Sequence, residues 1–277
     1  MWYNIFNYLV KYIMGKPRNP TVLLYKKEIQ EHIDKYHSLT KASRDFNIPK
    51  RTLGNYFKTQ WDAQKDTQCL YEKDRTTLNV IDTQNKAYVL GLLIADGSIS
   101  CKGCIKIEVK DKELCNYVKQ VFKSEAPVIK RTRVRSQFKN PNQTSYVFCV
   151  VSVEFVKPAS QWGLIPAKTH SETLCIPNIP NNLKPHFLRG YFDGDGSIFD
   201  YKYGQMVGFT GNKSMMYSVK EYLNSLGIAC KPNVKQDGST GSWKFYFGAK
   251  KDVKAFNELI YKDSSMYLQR KKDKFKL

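Results

Sequence analysis

Acidic residues are scarce in this chain. Against 45 lysines and arginines stand only 25 aspartates and glutamates, a formal net charge of +20 over 277 residues. Such an excess repels cationic partners and attracts polyanions, because each neutralised phosphate releases condensed counterions. Nucleic acid is therefore the first candidate partner, and a generally basic, soluble surface is the plainer alternative. No membrane-spanning apolar run is present either. The apolar, aromatic stretch Met1 to Met14 is interrupted by Asn4, Asn7 and Lys11, too short and too polar to cross a bilayer. It lacks the small-residue cleavage site of a signal peptide, so an intracellular protein with no membrane partner is expected. A disulfide framework is missing as well, since seven cysteines make an odd set scattered from Cys69 to Cys230, which suits reduced thiols. Only Cys101-x-x-Cys104 is close-spaced. Without a second such pair or a nearby histidine pair, a zinc or redox role competes with two strand-edge cysteines beside Gly103.

What is there supports a packed protein of roughly two domains: 42% hydrophobic, 13% aromatic and 25% charged residues exceed what a disordered chain carries. From Val22 to Lys58 apolar residues recur at helical spacing, break, and recur, which predicts three short helices. In Ser38 to Phe57 a hydroxyl-led helix start precedes Ala42, Asn47 offers a tight turn, and Pro49 fits the first turn of a second helix. Leu39, Phe46, Ile48, Leu53 and Phe57 would form the core. This pattern resembles a helix-turn-helix, whose second helix would present Lys50, Arg51, Thr52, Asn55 and Lys58 to phosphates and base edges; a plain three-helix packing unit is the alternative. A small helical DNA-binding domain over 1–60 is thus expected, followed by a polar linker over 61–84.

Two copies of one unit follow. Tyr88-Val-Leu-Gly-Leu-Leu-Ile-Ala-Asp96-Gly-Ser-Ile aligns without a gap on Phe187-Leu-Arg-Gly-Tyr-Phe-Asp-Gly-Asp195-Gly-Ser-Ile, so that Gly91 and Gly190, and Asp96 and Asp195, each lie 99 positions apart. The expected boundaries are 85–175 and 176–277. Each run reads as a short helix ending at an acid followed by glycine, the usual helix stop. Gly91 with Ala95, and Gly190 with Gly194, put small residues on one helix face, where two backbones can approach closely. Side by side, such helices would bring Asp96 and Asp195 together at their ends. Paired carboxylates repel unless a cation lies between them, and hard divalent ions, Mg2+ first, suit oxygen ligands. The alternative is that each acid merely ends a helix.

The pair Val-Leu-Gly-Leu-Leu-Ile-Ala-Asp-Gly and Leu-Arg-Gly-Tyr-Phe-Asp-Gly-Asp-Gly, each followed by Ser-Ile, resembles the duplicated motif of single-chain LAGLIDADG homing endonucleases, over residues 85 to 277. The resemblance implies an α+β fold: duplicated αββαββα units with pseudo-two-fold symmetry and saddle-shaped antiparallel sheets, here preceded by the small helix-turn-helix domain. It implies Asp96 and Asp195 as the metal ligands, with Mg2+ as cofactor and Mn2+ as a substitute. It also implies a basic residue in each half, matched by Lys168 and Lys271, with Lys272 serving equally for the second; these lysines would stabilise charge or tune the attacking water. Ile94 and Asp193 are given no chemistry. Departures from the pattern are Leu90 and Arg189, in place of a small residue, and Asp111 and Gly211, where some members carry a polar water-positioning side chain.

The strands are visible independently. Ile105 to Lys110 alternates apolar and charged residues, which places Lys106 and Lys110 on a face free to meet phosphates. Lys130 to Arg135 sets Arg131, Arg133 and Arg135 on one face, and Trp243 to Phe247 sets Lys244 opposite bulky residues. These are DNA-contact candidates, with solvated edge strands as the alternative. The expected function is site-specific cleavage of both strands of double-stranded DNA by metal-assisted phosphodiester hydrolysis, by a monomer. An intron RNA maturase or a non-cleaving transcription regulator on the same scaffold are the rivals. No terminal Cys or Ser paired with His-Asn marks an intein.

Overall fold

A computed structural model describes residues 22–276 apart from 23, 37–38, 58–70, 135–141, 167, 169–170, 172, 203, 231–232 and 239. The chain divides into two compact units, 1–68 and 69–277. In the first, three helices, α1 (Lys26–Tyr36), α2 (Leu39–Asp45) and α3 (Lys50–Tyr56), enclose Val22, Ile29, Ile33, Leu39, Ala42, Ile48, Leu53 and Phe57. Asn47 takes a left-handed φ of 50° in the turn between α2 and α3, a conformation asparagine tolerates better than most. Pro49 sits one position earlier than its sequence suggests: it is the N-cap of α3, in extended backbone, and its carbonyl accepts from Thr52 and Leu53.

The second unit repeats one order of elements. Helix α4 (Gln84–Asp96) leads into β1 (Gly97–Ile99), β2 (Cys104–Val109), α5 (Lys112–Val121), β3 (Ile129–Val134), β4 (Asn142–Val151) and α6 (Val156–Gln161). Helix α7 (Lys184–Asp195) leads into β5 (Gly196–Tyr201), β6 (Gly204–Gly211), α8 (Lys213–Ser225), β7 (Lys235–Gln236), β8 (Trp243–Phe247) and α9 (Lys250–Tyr261), with a final short helix α10 (Gln269–Lys272). The two antiparallel sheets have equivalent strand orders, β1-β2-β4-β3 and β5-β6-β8-β7. Register matches too: Gly97 faces Ile107 and Ile107 faces Phe148, as Gly196 faces Phe209 and Phe209 faces Phe245. Period-two alternation explains the layering. Ile105, Ile107, Phe148 and Val150 point into the core from the first sheet, and Val207, Phe209, Phe245 and Phe247 from the second. The other face carries Lys106, Glu108, Arg131 and Arg133 in the first sheet and Thr210 and Lys244 in the second, among exposed apolar residues such as Val151, Phe199 and Tyr201.

Part of the stretch expected as linker belongs to this unit. Glu72 accepts from the Glu125 amide, the Asp74 amide donates to Phe122, and Leu78 and Ile81 are buried. Trp162 Nε1 donates to the Leu78 carbonyl at 2.6 Å, and Thr83 caps α4 through the Lys86 amide. Composition concealed this because the polar residues there satisfy local turns, as Asp74 does for Thr76, while two apolar residues suffice to anchor the strap. Residues 58–70 of that stretch lie outside the described residues. No described helix is long and apolar enough to cross a membrane.

Candidate functional site

The site is built by two glycines. A methyl group at Gly91 would overlap the carbonyl oxygen of Phe187, and one at Gly190 the carbonyl oxygen of Tyr88. Those two contacts are each other's image under the 99-residue offset, so α4 and α7 meet across a local two-fold axis at backbone distance. One step further, a methyl at Gly194 would strike the Cβ of Ala95 and come within 3.0 Å of Asp96 Oδ2. At that level only one helix can carry a side chain, and the acid that follows each small residue is thereby brought to the seam. Leu90 and Arg189, the departures from the motif, do not obstruct this seam. Leu90 is core, and Arg189 turns away to donate to the carbonyls of Ile260 and Met266, with its guanidinium 5.2 Å from the Tyr88 ring.

Gly97 and Gly196 end the helices, though not through a left-handed turn. Both cap residues are extended, with φ of −83° and −82°. Glycine is needed because any Cβ would crowd the carbonyl oxygens of Leu93 and Phe192 as the chain turns straight into β1 or β5.

Asp96 and Asp195 thus end neighbouring helices whose C-terminal carbonyls already carry partial negative charge. Burial and then the charge of Asp96 push the Asp195 carboxyl up to about 6. Burial, with Asp111 adding, raises Asp96 as well, even though its outer edge reaches solvent. Two lysines oppose this field. Lys168 Nζ donates to the Ala95 carbonyl at 3.1 Å, and Lys271 Nζ lies 2.6, 2.9, 3.3 and 2.6 Å from the carbonyls of Phe192, Asp193, Gly194 and Gly196. An ammonium has three N–H donors, so backbone contacts saturate Lys271. It acts on the carboxylates by charge, and its burial lowers its own pKa to about 8. Lys272 points elsewhere, 4.1 Å from the Tyr267 ring centre.

Asp193, given no chemistry by the sequence, is a buried tie across the seam. Its Oδ2 accepts from Tyr88 Oη and from the Leu268 amide, both at 2.8 Å. Asp96 and Asp195 each open onto a separate cleft. The Asp96 cleft is lined by Glu108, Lys110, Asp111, Arg133 and Arg270, and the Asp195 cleft by Lys168, Thr210, Asn212, Lys213 and Trp243. Asp111 holds Arg270 in a bidentate pair at 2.9 and 2.7 Å. The residue of the second half in the place of Asp111 is Asn212 rather than Gly211. Both precede a helix, and Asn212 accepts from Met215 and donates to Ser171.

Of the expected nucleic-acid contacts, Lys106, Arg131 and Arg133 lie on the outer face of the first sheet, all bound to one acid, Glu108. Lys110 follows that strand in the same cleft. Lys244 is paired with Asp237 at 2.6 Å. Lys50 and Arg51 are exposed on α3. Asn55 also lies on α3, while its side chain, Lys58 and Arg135 lie outside the described residues. Cys104 opens β2 with its Sγ 2.8 Å from Cys149 on the adjacent strand, and Cys101 is exposed in the preceding turn. The sequence pattern exposed Glu108 as one more outward position of β2. Nothing local signalled Arg270 with Asp111, which are 159 residues apart.

Residues 183–261 match the family model of a LAGLIDADG-like domain. Comparison with curated proteins finds no match. Among solved structures, the homing endonuclease I-WcaI bound to its DNA recognition sequence is similar at 16% identity and a TM-score of 0.50, over 70% of this chain and 87% of that one. The LAGLIDADG homing endonuclease I-GzeII in complex with its DNA target aligns at 13% identity and a TM-score of 0.46, over 68% and 86%. Full-length DUF199/WhiA from Thermatoga maritima aligns at 16% and 0.41, over 68% and 59%. At these identities the likeness is one of fold, and the α+β architecture of two four-stranded antiparallel sheets with helices is the one found in LAGLIDADG homing endonucleases.

The donor set suits a hard divalent cation. Burial and the charge of Asp96 hold the Asp195 carboxyl up, an effect that a cation between the two acids would reverse. Among the described residues no group of three or more His, Cys, Asp or Glu gathers there, so a cation held by the two aspartates would need further oxygen ligands from outside the chain.

Proposed function

We propose that the chain is a site-specific double-strand DNA endonuclease that hydrolyses phosphodiester bonds with Mg2+. The observation that carries this reading is the pairing of Asp96 and Asp195 at one end of the glycine seam, each opening onto a cleft edged by cations. Asp96 and Asp195 would hold the metal, which when bound polarises the phosphate and lowers the pKa of the attacking water. Lys168 and Lys271 keep the two helix ends in place and offset the carboxylate charge. Lys110 on one side, and Lys213 on the other, are available to phosphates. One carboxylate per strand then accounts for cutting both strands with a single chain, and no covalent intermediate is required. In the front unit, exposed Lys50 and Arg51 would lengthen the recognised site.

The test is direct. The purified protein is used to select duplexes from a randomised library in Ca2+, and the selected DNA is then offered in Mg2+. Cleavage of both strands, abolished by a chelator, is the expected result. Selective binding without cutting would instead indicate a DNA-binding regulator, and preference for structured RNA would indicate a maturase.

A further inference from the structure

The outer face of the first sheet carries an acid where a polyanion-binding surface gains nothing from one. Glu108 lies at the centre of that face on β2. Its Oε2 is 3.0 Å from Lys106 Nζ, 3.3 Å from Arg131 Nη1 and 3.2 Å from Arg133 Nη2, while Oε1 accepts from Ser145 Oγ and pairs with Arg133, each at 3.0 Å. Register explains the gathering: Arg131 faces Ser145 across β3 and β4, and Lys106 sits two residues before Glu108 on its own strand. One carboxylate therefore organises four donors from three strands. The second sheet is built differently. Thr210, next to Phe209 as Glu108 is next to Ile107, occupies the matching position, and the acid that pairs with Lys244, Asp237, lies just beyond the end of β7.

An acid here weakens attraction to phosphate, so its contribution is not affinity. Free arginines on a sheet would turn to the nearest phosphates, which carry no sequence information. A long guanidinium side chain holds about 2 kcal/mol of rotamer entropy, and fixing it beforehand removes that penalty from a directional contact. Arg131 and Arg133 are 42% and 44% exposed, whereas Glu108 is 20% exposed and satisfied by its partners. That leaves guanidinium edges free for guanine O6 and N7, the bidentate contact arginine makes in the major groove, and leaves the acid itself little opportunity to read a base.

Building on the DNA-binding reading above, we propose that Glu108 is a specificity-determining positioning residue, which clamps Arg131 and Arg133 in the orientation that reads guanines in one half of the DNA site.

The test compares wild type, Glu108→Gln and Glu108→Ala in selections from a randomised duplex library in Ca2+, together with affinity for a fixed unselected duplex across a salt series. Circular dichroism checks that each variant is folded, and glutamine keeps the shape of the side chain while removing its charge. Both variants should bind the unselected duplex at least as tightly as wild type, with a salt slope steeper by about 0.9 for each additional phosphate that the released cations neutralise. Both should also lose roughly tenfold or more of their guanine preference within one short block of positions, leaving preferences elsewhere unchanged. An unchanged preference profile, or weaker binding to the unselected duplex, would overturn the proposal while leaving the endonuclease reading standing. If wild type enriches no sequence at all, both fall together.

Discussion

Replacing Gly91 by alanine isolates the feature on which the site rests. In most helices this exchange is favourable, by about 1 kcal/mol from propensity alone. Gly54 on α3 supplies the control, since a Cβ there meets nothing within 4 Å, and Gly54→Ala should stabilise the front unit by an amount of that order. At Gly91 the new methyl meets the Phe187 carbonyl oxygen, with Tyr191 N at 2.8 Å and Phe187 C at 2.9 Å. All three are backbone atoms, so no rotamer change relieves the clash and the helices must separate. Overpacking of this kind costs about 3 kcal/mol, the upper part of its usual range. The net loss is then about 2 kcal/mol, or roughly 4–8 °C in melting temperature for a unit of this size. Gly190→Ala should behave alike, and the double variant should lose less than the sum, because one separation accommodates both methyl groups. Scanning calorimetry measures the four variants against wild type. A melting temperature for Gly91→Ala equal to or above that of wild type would refute the close backbone approach.

Two further outcomes follow from charge. The pKa of Asp195 is raised from 3.8 to about 6 in the fold, so its ionised form is penalised: the penalty is absent below about pH 3.8 and complete above about pH 6. Asp195→Asn should therefore raise the melting temperature of the metal-free protein at pH 7.5, by up to about 3 kcal/mol in stability, and leave it nearly unchanged at pH 4; equal effects at both pH values would contradict the assignment. The front unit has a core of its own. Deleting residues 1–68 should leave cleavage at high enzyme concentration intact while making the salt slope of DNA binding shallower by about 0.9 for each phosphate no longer neutralised, Lys50 and Arg51 being the first candidates. An unchanged slope would mean that their charges are only solvated.

The seam was legible in the sequence because it is written twice: small residues four apart, then an acid, at a constant offset. Strand faces were legible wherever apolar and polar residues alternate, as in Ile105 to Lys110. What the sequence concealed is pairing between distant segments. Glu108 read as one more polar outward position until β3 and β4 brought Arg131, Arg133 and Ser145 against it. Arg270 and Asp111, and the four carbonyls around Lys271, depend on where the C-terminal segment returns to the seam, which no periodicity encodes. Residues 72–83 resemble a linker in composition because their polar side chains close local turns while only Leu78 and Ile81 carry the packing.

The decisive expectation is a joint requirement for Asp96 and Asp195 in metal-dependent cutting. It is tested most directly by incubating wild type, Asp96→Asn and Asp195→Asn with Mg2+ and a supercoiled plasmid carrying a duplex selected by the wild-type protein, with binding measured in parallel. Wild type should linearise the plasmid, and neither variant should do so while each still binds the site, since each exchange removes a ligand charge and little shape. Linearisation by either variant at the wild-type rate would contradict the account.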